Sequence, residues 1–442
     1  MRHLRSTAIA VFAVFLLSVV TPIPAWCEEP PSAPAAAGWI AGQLAANNDV
    51  VATDGATDWG QTIDALFALA SAGVAGDQIT ATADKIFASG EAFIGATSNK
   101  ETMWPAIAKM ILATQVSGLD AGGFPVPGGT RDLIAELRSV LNADGSFGAD
   151  GIDNIFNHPL AMLALARTDE GVPAQAVTWM IDQQCADTTS VDYGSFGWAE
   201  CMMADIDSTA MATQALAASG VLATPGSPLS AAKTWLLSQQ QADGGFESWG
   251  ATNTNSTGLA AQTLADSHPS VVTKAQEFIG GLQVTCAVVL DNSPLVDGDV
   301  GAIGYDLEAF DTITSQGMSG QRAQAMRTTT QAILGLGGAD FFHLTSLGAL
   351  ATTPTATCGQ PPNTAEPTTP PTSGPSNAPA DPPPAAAPTS PPAGPVAPVA
   401  PGAPTYSAPT GGTTSSSGAL AVAGLLLIVG VTALGWRLRC CV

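Results

Sequence analysis

The chain has 442 residues, 46% of them hydrophobic and 12% charged, with 37 acidic against 14 basic side chains and a formal net charge of −23. So acidic a surface repels phosphate backbones and excludes nucleic acid as a partner. The length is ample for a sizeable core, although the proline-rich stretch near the C-terminus cannot contribute to one.

Taken in order, the chain opens with Arg2 and Arg5, an apolar run from Ala8 to Val20, and then Pro22 and Pro24. That layout predicts a secretory signal peptide over residues 1–27, with cleavage after Ala25 or Cys27. Residues 28–350 form the body. Within it, Asp64–Ala70, Trp104–Leu112, Pro159–Ala166, Thr209–Leu216, Ser256–Ala265 and Thr330–Leu334 repeat one small-residue pattern, which predicts six helices of one kind. Between several of them lie an aromatic residue and a glutamine at fixed spacing: Trp179 and Gln184, Trp235 and Gln240, Phe278 and Gln283. A glycine loop ending in an aromatic residue follows, as Asp144-Gly145-Ser146-Phe147, Tyr193-Gly194-Ser195-Phe196 and Asp243-Gly244-Gly245-Phe246. Each unit reads as helix, glycine turn, helix. Such a hairpin cannot bury both apolar faces alone, so neighbours must stack.

This aromatic, glutamine and Asp-Gly-Gly-Phe pattern resembles the repeat of squalene-hopene and other terpenoid cyclases and of prenyltransferase subunits. The resemblance covers roughly residues 38–350 and implies an all-α fold, an α/α toroid of about six helix hairpins. It also implies a role for Asp205-Ile206-Asp207-Ser208-Thr209-Ala210, which is similar to the Asp-x-Asp-Asp-Thr-Ala segment whose middle Asp protonates the polyene. By position Asp207 would be that general acid, with Asp205 beside it. Ser208 stands where the cyclase motif has a further Asp, and the chain is only 6% aromatic, whereas a carbocation site needs aromatic faces. The competing reading is helix capping by Asp207 or Ser208, supported by the aligned Asn253-Thr254-Asn255-Ser256-Thr257. The segment Asp207–Ala212 also resembles the repeated helix start of the cobalamin carriers intrinsic factor and transcobalamin, implying a small-molecule carrier as a third reading.

The residues expected to line a ligand site lie at turns before second helices: Trp59, His158, Tyr193, Trp198, Asn255 and Tyr305, with Trp104 and Trp249 near similar turns. The body lacks Cys-x-x-Cys and has only His158, His268 and His343, so no metal or cofactor is expected, and Asp297-Gly298-Asp299 resembles a calcium loop only faintly. A bridge Cys185–Cys201 would staple one repeat's long loop, and Cys286–Cys358 would tie the tail to the last repeat. Each is worth roughly 2–4 kcal/mol, other pairings being open from sequence. Residues 351–417, built mainly of Pro, Ala, Thr, Ser and Gly, predict a disordered stalk. Residues 418–436 then form an uncharged apolar run long enough to span a bilayer, and Arg437 and Arg439 within 437–442 place a short tail in the cytoplasm. The expected whole is a monomeric toroid held outside the plasma membrane. It would bind an apolar small molecule, or a surface protein or polymer, without catalysis.

Overall fold

The computed structural model describes residues 32–359, apart from Asp54, Asp150, Ile152, Asp153, Ala199 and Asn292. The chain divides into two units, 1–375 and 376–442. The second unit, the expected signal peptide, the apolar span 418–436 and nearly all of the expected stalk lie outside the described residues. Among the described residues no helix is long and apolar enough to cross a membrane.

The first unit is helical. In chain order come α1 (Ala33–Ala46), α2 (Trp59–Ala72), α3 (Gly76–Ser89), α4 (Glu91–Ile94), α5 (Lys100–Val116), α6 (Leu133–Ser139), α7 (Asn157–Ala166) and α8 (Ala174–Asp182). Then follow α9 (Ile206–Ala218), α10 (Pro228–Ser238), α11 (Thr254–Leu264), α12 (Pro269–Gly281), α13 (Cys286–Leu290), α14 (Leu307–Gln316) and α15 (Arg322–Gly337). Three antiparallel hairpins interrupt them: β1 (Ala52–Thr53) with β2 (Ala56–Thr57), β3 (Phe124–Val126) with β4 (Gly129–Arg131), and β5 (Phe246–Ser248) with β6 (Ala251–Asn253).

Helices α2, α5, α7, α9, α11 and α15 each pack on the next, and α15 packs back on α2, which closes a ring of six. These are the six helices that the small-residue pattern predicts. Helices α1, α3, α6, α8, α10 and α12 lie outside them. Together they form an α/α toroid. Small side chains set how near the inner helices come. A Cβ on Gly258 would stand 2.8 Å from the Ala332 Cα, and one on Gly335 would stand 2.7 Å from the Gly258 carbonyl oxygen. Backbones therefore touch directly along the α11–α15 seam, which any larger residue would force apart.

The repeated glutamine clips one repeat to the next. The Gln240 side-chain amide donates to the carbonyl of Gly244 in its own loop (2.9 Å) and to that of Val271 in the first turn of α12 (2.8 Å). Gln184 does the same with Gly194 and Pro228. Gln283 bonds both ways with the backbone of Ser32, accepting from its N–H at 2.7 Å and donating to its carbonyl at 3.1 Å. The last repeat is thereby clipped to the first. A threonine of the inner helix receives the loop end from within, since Thr209, Thr257 and Thr329 hydroxyls accept the Phe196, Phe246 and Ile303 backbone N–H, each at 2.9 Å. In the last repeat this is Thr329, one residue before the Thr330 that opens the sequence pattern.

Both expected bridges, Cys185–Cys201 and Cys286–Cys358, are formed. The chain after α15 folds over one end of the ring. Arg167 donates to the carbonyls of Phe341 and Leu344, both at 2.8 Å, and the Phe341 ring meets Phe67 edge-on at 5.6 Å. The carbonyls of Leu350 and Thr352 then accept the backbone N–H groups of Gly76 (2.9 Å) and Ala75 (3.1 Å), so packed chain continues past Leu350 toward Cys358.

Candidate functional site

Four of the residues singled out from sequence gather where α9 and α11 begin. Asp205 is the N-cap of α9: its Oδ2 accepts the Ser208 N–H at 2.8 Å and the Ser208 hydroxyl at 2.7 Å, while its Oδ1 accepts the Ser248 hydroxyl at 2.9 Å. Asn253 caps α11 in the same way, accepting from the Ser256 N–H at 2.9 Å. The cap therefore falls on Asp205, two residues before Asp207 and three before Ser208, where the capping reading placed it. Such caps stabilise by about 1 kcal/mol each. Asp207 stands inside the first turn and is spared that duty.

What surrounds Asp207 makes it the most perturbed carboxyl of the described residues. It keeps some surface open, but its Oδ1 is sealed and has no hydrogen-bond partner. Burial first, and then the neighbouring Asp205 charge, push its pKa up to about 7, while a hydrogen bond from the Ser256 side chain pulls the other way. Tyr305 is near enough that burial and the Asp207 and Asp306 charges raise its own pKa. The Tyr305 carbonyl accepts the Thr254 N–H at 2.8 Å, which fixes that segment to the start of α11. Asn255, next along α11, donates to Gln331 Oε1 of α15 at 2.6 Å and leaves its own Oδ1 buried without a partner. Asp205, Asp207, Asn255 and Tyr305 are thus brought together, with Ser256 and Gln331 added by the fold.

The other expected ligand residues fall elsewhere. Trp59 opens α2. His158 is fully buried in α7, stacked on Trp179 of α8 at 4.2 Å, with Nε2 3.0 Å from the Ala176 carbonyl oxygen. It is an internal packing residue. Tyr193 lies on the loop that Cys185–Cys201 braces. Asp297 and Asp299 serve the protein itself, accepting the backbone N–H of Cys358 and of Val296. No group of three or more metal-ligating side chains occurs among the described residues.

Trp198 belongs to a second feature. A groove of about 340 Å³ is walled by Trp198 from the braced loop, Met202 and Met203 just after Cys201, Trp235 from α10, and Trp249 at the tip of the β5–β6 hairpin. Its walls are wet: Trp198 is 51% exposed, Trp249 68% and Met202 83%. Trp249 and Gly250 form a two-residue turn with φ of 56° and 83°, a conformation that favours Asn-Gly. A tryptophan there costs roughly 1 kcal/mol against asparagine. Sequence reasoning marked Trp198 and Trp249 only as aromatic residues near turns. The pair of turn residues between two short alternating runs was the available signal.

No family model matches the chain, and no curated protein matches it. Among solved structures, ent-copalyl diphosphate synthase from Streptomyces platensis is similar at 20% identity and a TM-score of 0.37, over 64% of this chain and 50% of that one. A protein from Actinoplanes is similar at 15% identity and a TM-score of 0.38, over 68% and 98%. A type II terpene cyclase from Scytonema, in complex with geranylgeranyl dihydroxybenzoate, is similar at 14% identity and a TM-score of 0.44, over 69% and 95%. This chain thus spans half the length of the first.

Proposed function

We propose that the protein is a binding module displayed outside the cell, in which the toroid is a rigid frame and the partner is held on its surface without catalysis. The observation that carries this reading is the groove whose exposed apolar side chains, Trp198, Met202 and Trp249, stand beside a disulfide bridge and on a tight hairpin, over the buried Trp235 of α10. Exposed aromatic surface held on fixed elements is what partner recognition needs. Export and anchorage rest on the sequences of 1–27 and 418–436, and two disulfides in the body fit an oxidising compartment. Hydrogen–deuterium exchange on the exported protein, with and without envelope extract from its host, tests the reading. Protection at 191–203 and 246–252 is expected. Unchanged exchange across both segments would overturn it.

A second reading has its own support. Asp207, protonated up to about pH 7 with a sealed oxygen, has the properties of a general acid of the terpenoid-cyclase kind. Incubation with linear C15 to C30 isoprenoids, followed by mass spectrometry of cyclised products, tests it. Product formed by the wild type and lost in Asp207→Asn would establish the enzyme, and absence of product would leave the binding module standing.

A further inference from the structure

The groove has a counterpart one repeat further on. About 480 Å³ in volume, it is lined by Phe278 of α12 and Leu282 just after it, by Leu307, and by four carboxylates, Asp243, Glu277, Asp306 and Glu308. Phe278 stands five residues before Gln283, as Trp235 stands five before Gln240, so the two grooves occupy equivalent places in successive repeats. The β5–β6 hairpin lies between them, giving Glu247, Ser248 and Trp249 to one and Thr252 to the other. In the first, the carboxylates are Asp192, Asp205 and Glu247.

The chemistry of the pair is one-sided. Seven carboxylates adjoin aromatic and aliphatic walls, and no lysine or arginine lines either groove. Asp205 is committed to Ser208 and Ser248, and Asp192 accepts the Trp235 indole N–H at 3.3 Å. The side chains of Glu247, Glu277 and Glu308 make no hydrogen bond or ion pair among the described residues. An aromatic face beside an uncommitted carboxylate suits a guanidinium or ammonium group, which stacks on the ring and pairs with the acid. Two such grooves in succession suit a chain that carries a cation at intervals.

We propose that these grooves bind successive basic side chains, arginine above all, on an extended segment of a partner protein. This rests on the binding-module reading and names its ligand class. The Trp198, Trp235 and Trp249 groove stacks one guanidinium, with Glu247 as its counter-charge. The Phe278 groove takes the next, between Glu277 and Glu308.

The test is titration of the full chain, in detergent, with a fluorescein-labelled octapeptide of alternating Arg and Gly, and with the same peptide carrying citrulline for arginine. Citrulline keeps the shape and removes the charge, so it should bind at least tenfold more weakly. Trp249→Asn, which suits the turn, and Trp198→Ser leave net charge unchanged and should each weaken the arginine peptide about threefold to tenfold. Glu277→Gln with Glu308→Gln should weaken it comparably. If both tryptophan variants bind as the wild type does, the attraction is only that of an acidic chain for a polycation, and the proposal falls. Equal binding of the citrulline peptide also overturns it. So does tight, salt-independent binding of maltohexaose that is lost in Trp249→Asn, although that result would leave the binding module intact. Absence of exchange protection at 191–203 and 246–252 in host extract would remove the module itself.

Discussion

Gly301 approaches α1 so closely that a Cβ on it would lie 2.0 Å from the carbonyl oxygen of Ala35. Gly301 also has φ of 100°, a region closed to side-chain-bearing residues. It is the point where the last loop of the ring meets the first outer helix, beside the Gln283–Ser32 clip. The same close approach recurs inside the ring, where a Cβ on Gly244 would lie 2.3 Å from the Lys274 carbonyl oxygen. Closure therefore uses the same joint as the preceding repeats, where Gly194 and Gly244 approach the next outer helix and Gln184 and Gln240 clip it.

Gly301→Ala should accordingly destabilise by several kcal/mol, roughly 2–5, because neither backbone can retreat without opening the ring. Gly226, at φ of 81° with nothing near its position, serves as the comparison. Gly226→Ala should cost only about 1–2 kcal/mol. Urea denaturation of both variants measures the difference, and equal losses would show that the closing joint is not specially strained.

Gln240→Ala removes two hydrogen bonds and leaves the Gly244 and Val271 carbonyls without them. The expected loss is about 1–3 kcal/mol, the range for orphaned buried polar groups. Its exposed neighbour Gln241, replaced in the same way, should change stability by no more than about 0.5 kcal/mol. Thermal or denaturant midpoints read both.

The proton on Asp207 gives stability a pH dependence of known sign. The folded carboxyl ionises near 7 and the unfolded one near its ordinary 3.8, so between those values the folded state binds more protons. The contribution is complete below about 3.8 and is lost as pH rises through 7. Asp207→Asn, which keeps the shape and cannot ionise, should flatten the fall in denaturation midpoint between pH 5 and pH 8. A variant whose midpoint falls as steeply as the wild type's would show that other groups set the slope.

Six inner helices and their outer partners were legible in the sequence, because alanine-rich periodicity and glycine loops are local signals, whereas the cysteine pairing, expected as Cys185–Cys201 and Cys286–Cys358, was fixed only by the fold. The cap on α9 was misplaced by two or three residues. Asp205 and Asp207 are equally plausible caps in a string, and only the start of the helix at Ile206 separates them. The closure over Phe341 was not legible, since it depends on Arg167, which lies 174 residues away. Nor were the grooves. Trp198 and Trp249 meet only because a disulfide loop and a hairpin from adjacent repeats lie side by side, and no local pattern encodes that.

Removing the Cys286–Cys358 bridge with paired serines should lower stability by roughly 2–4 kcal/mol. It should also make the chain after Leu350 an early site of protease cutting, read by limited proteolysis and intact mass. Unchanged cleavage kinetics would mean that the hydrogen bonds to Ala75, Gly76 and Asp297 hold that segment without the bridge.

The bridge also decides how the ring meets tension. A pull on the chain beyond Cys358 passes through the sulfur–sulfur bond directly to Cys286, at the start of α13. The 72-position stretch between those cysteines, which includes α15 and the segment over the end of the ring, is left slack. A tugged tail thus loads a covalent link at one repeat and spares the inner helix that completes the circle.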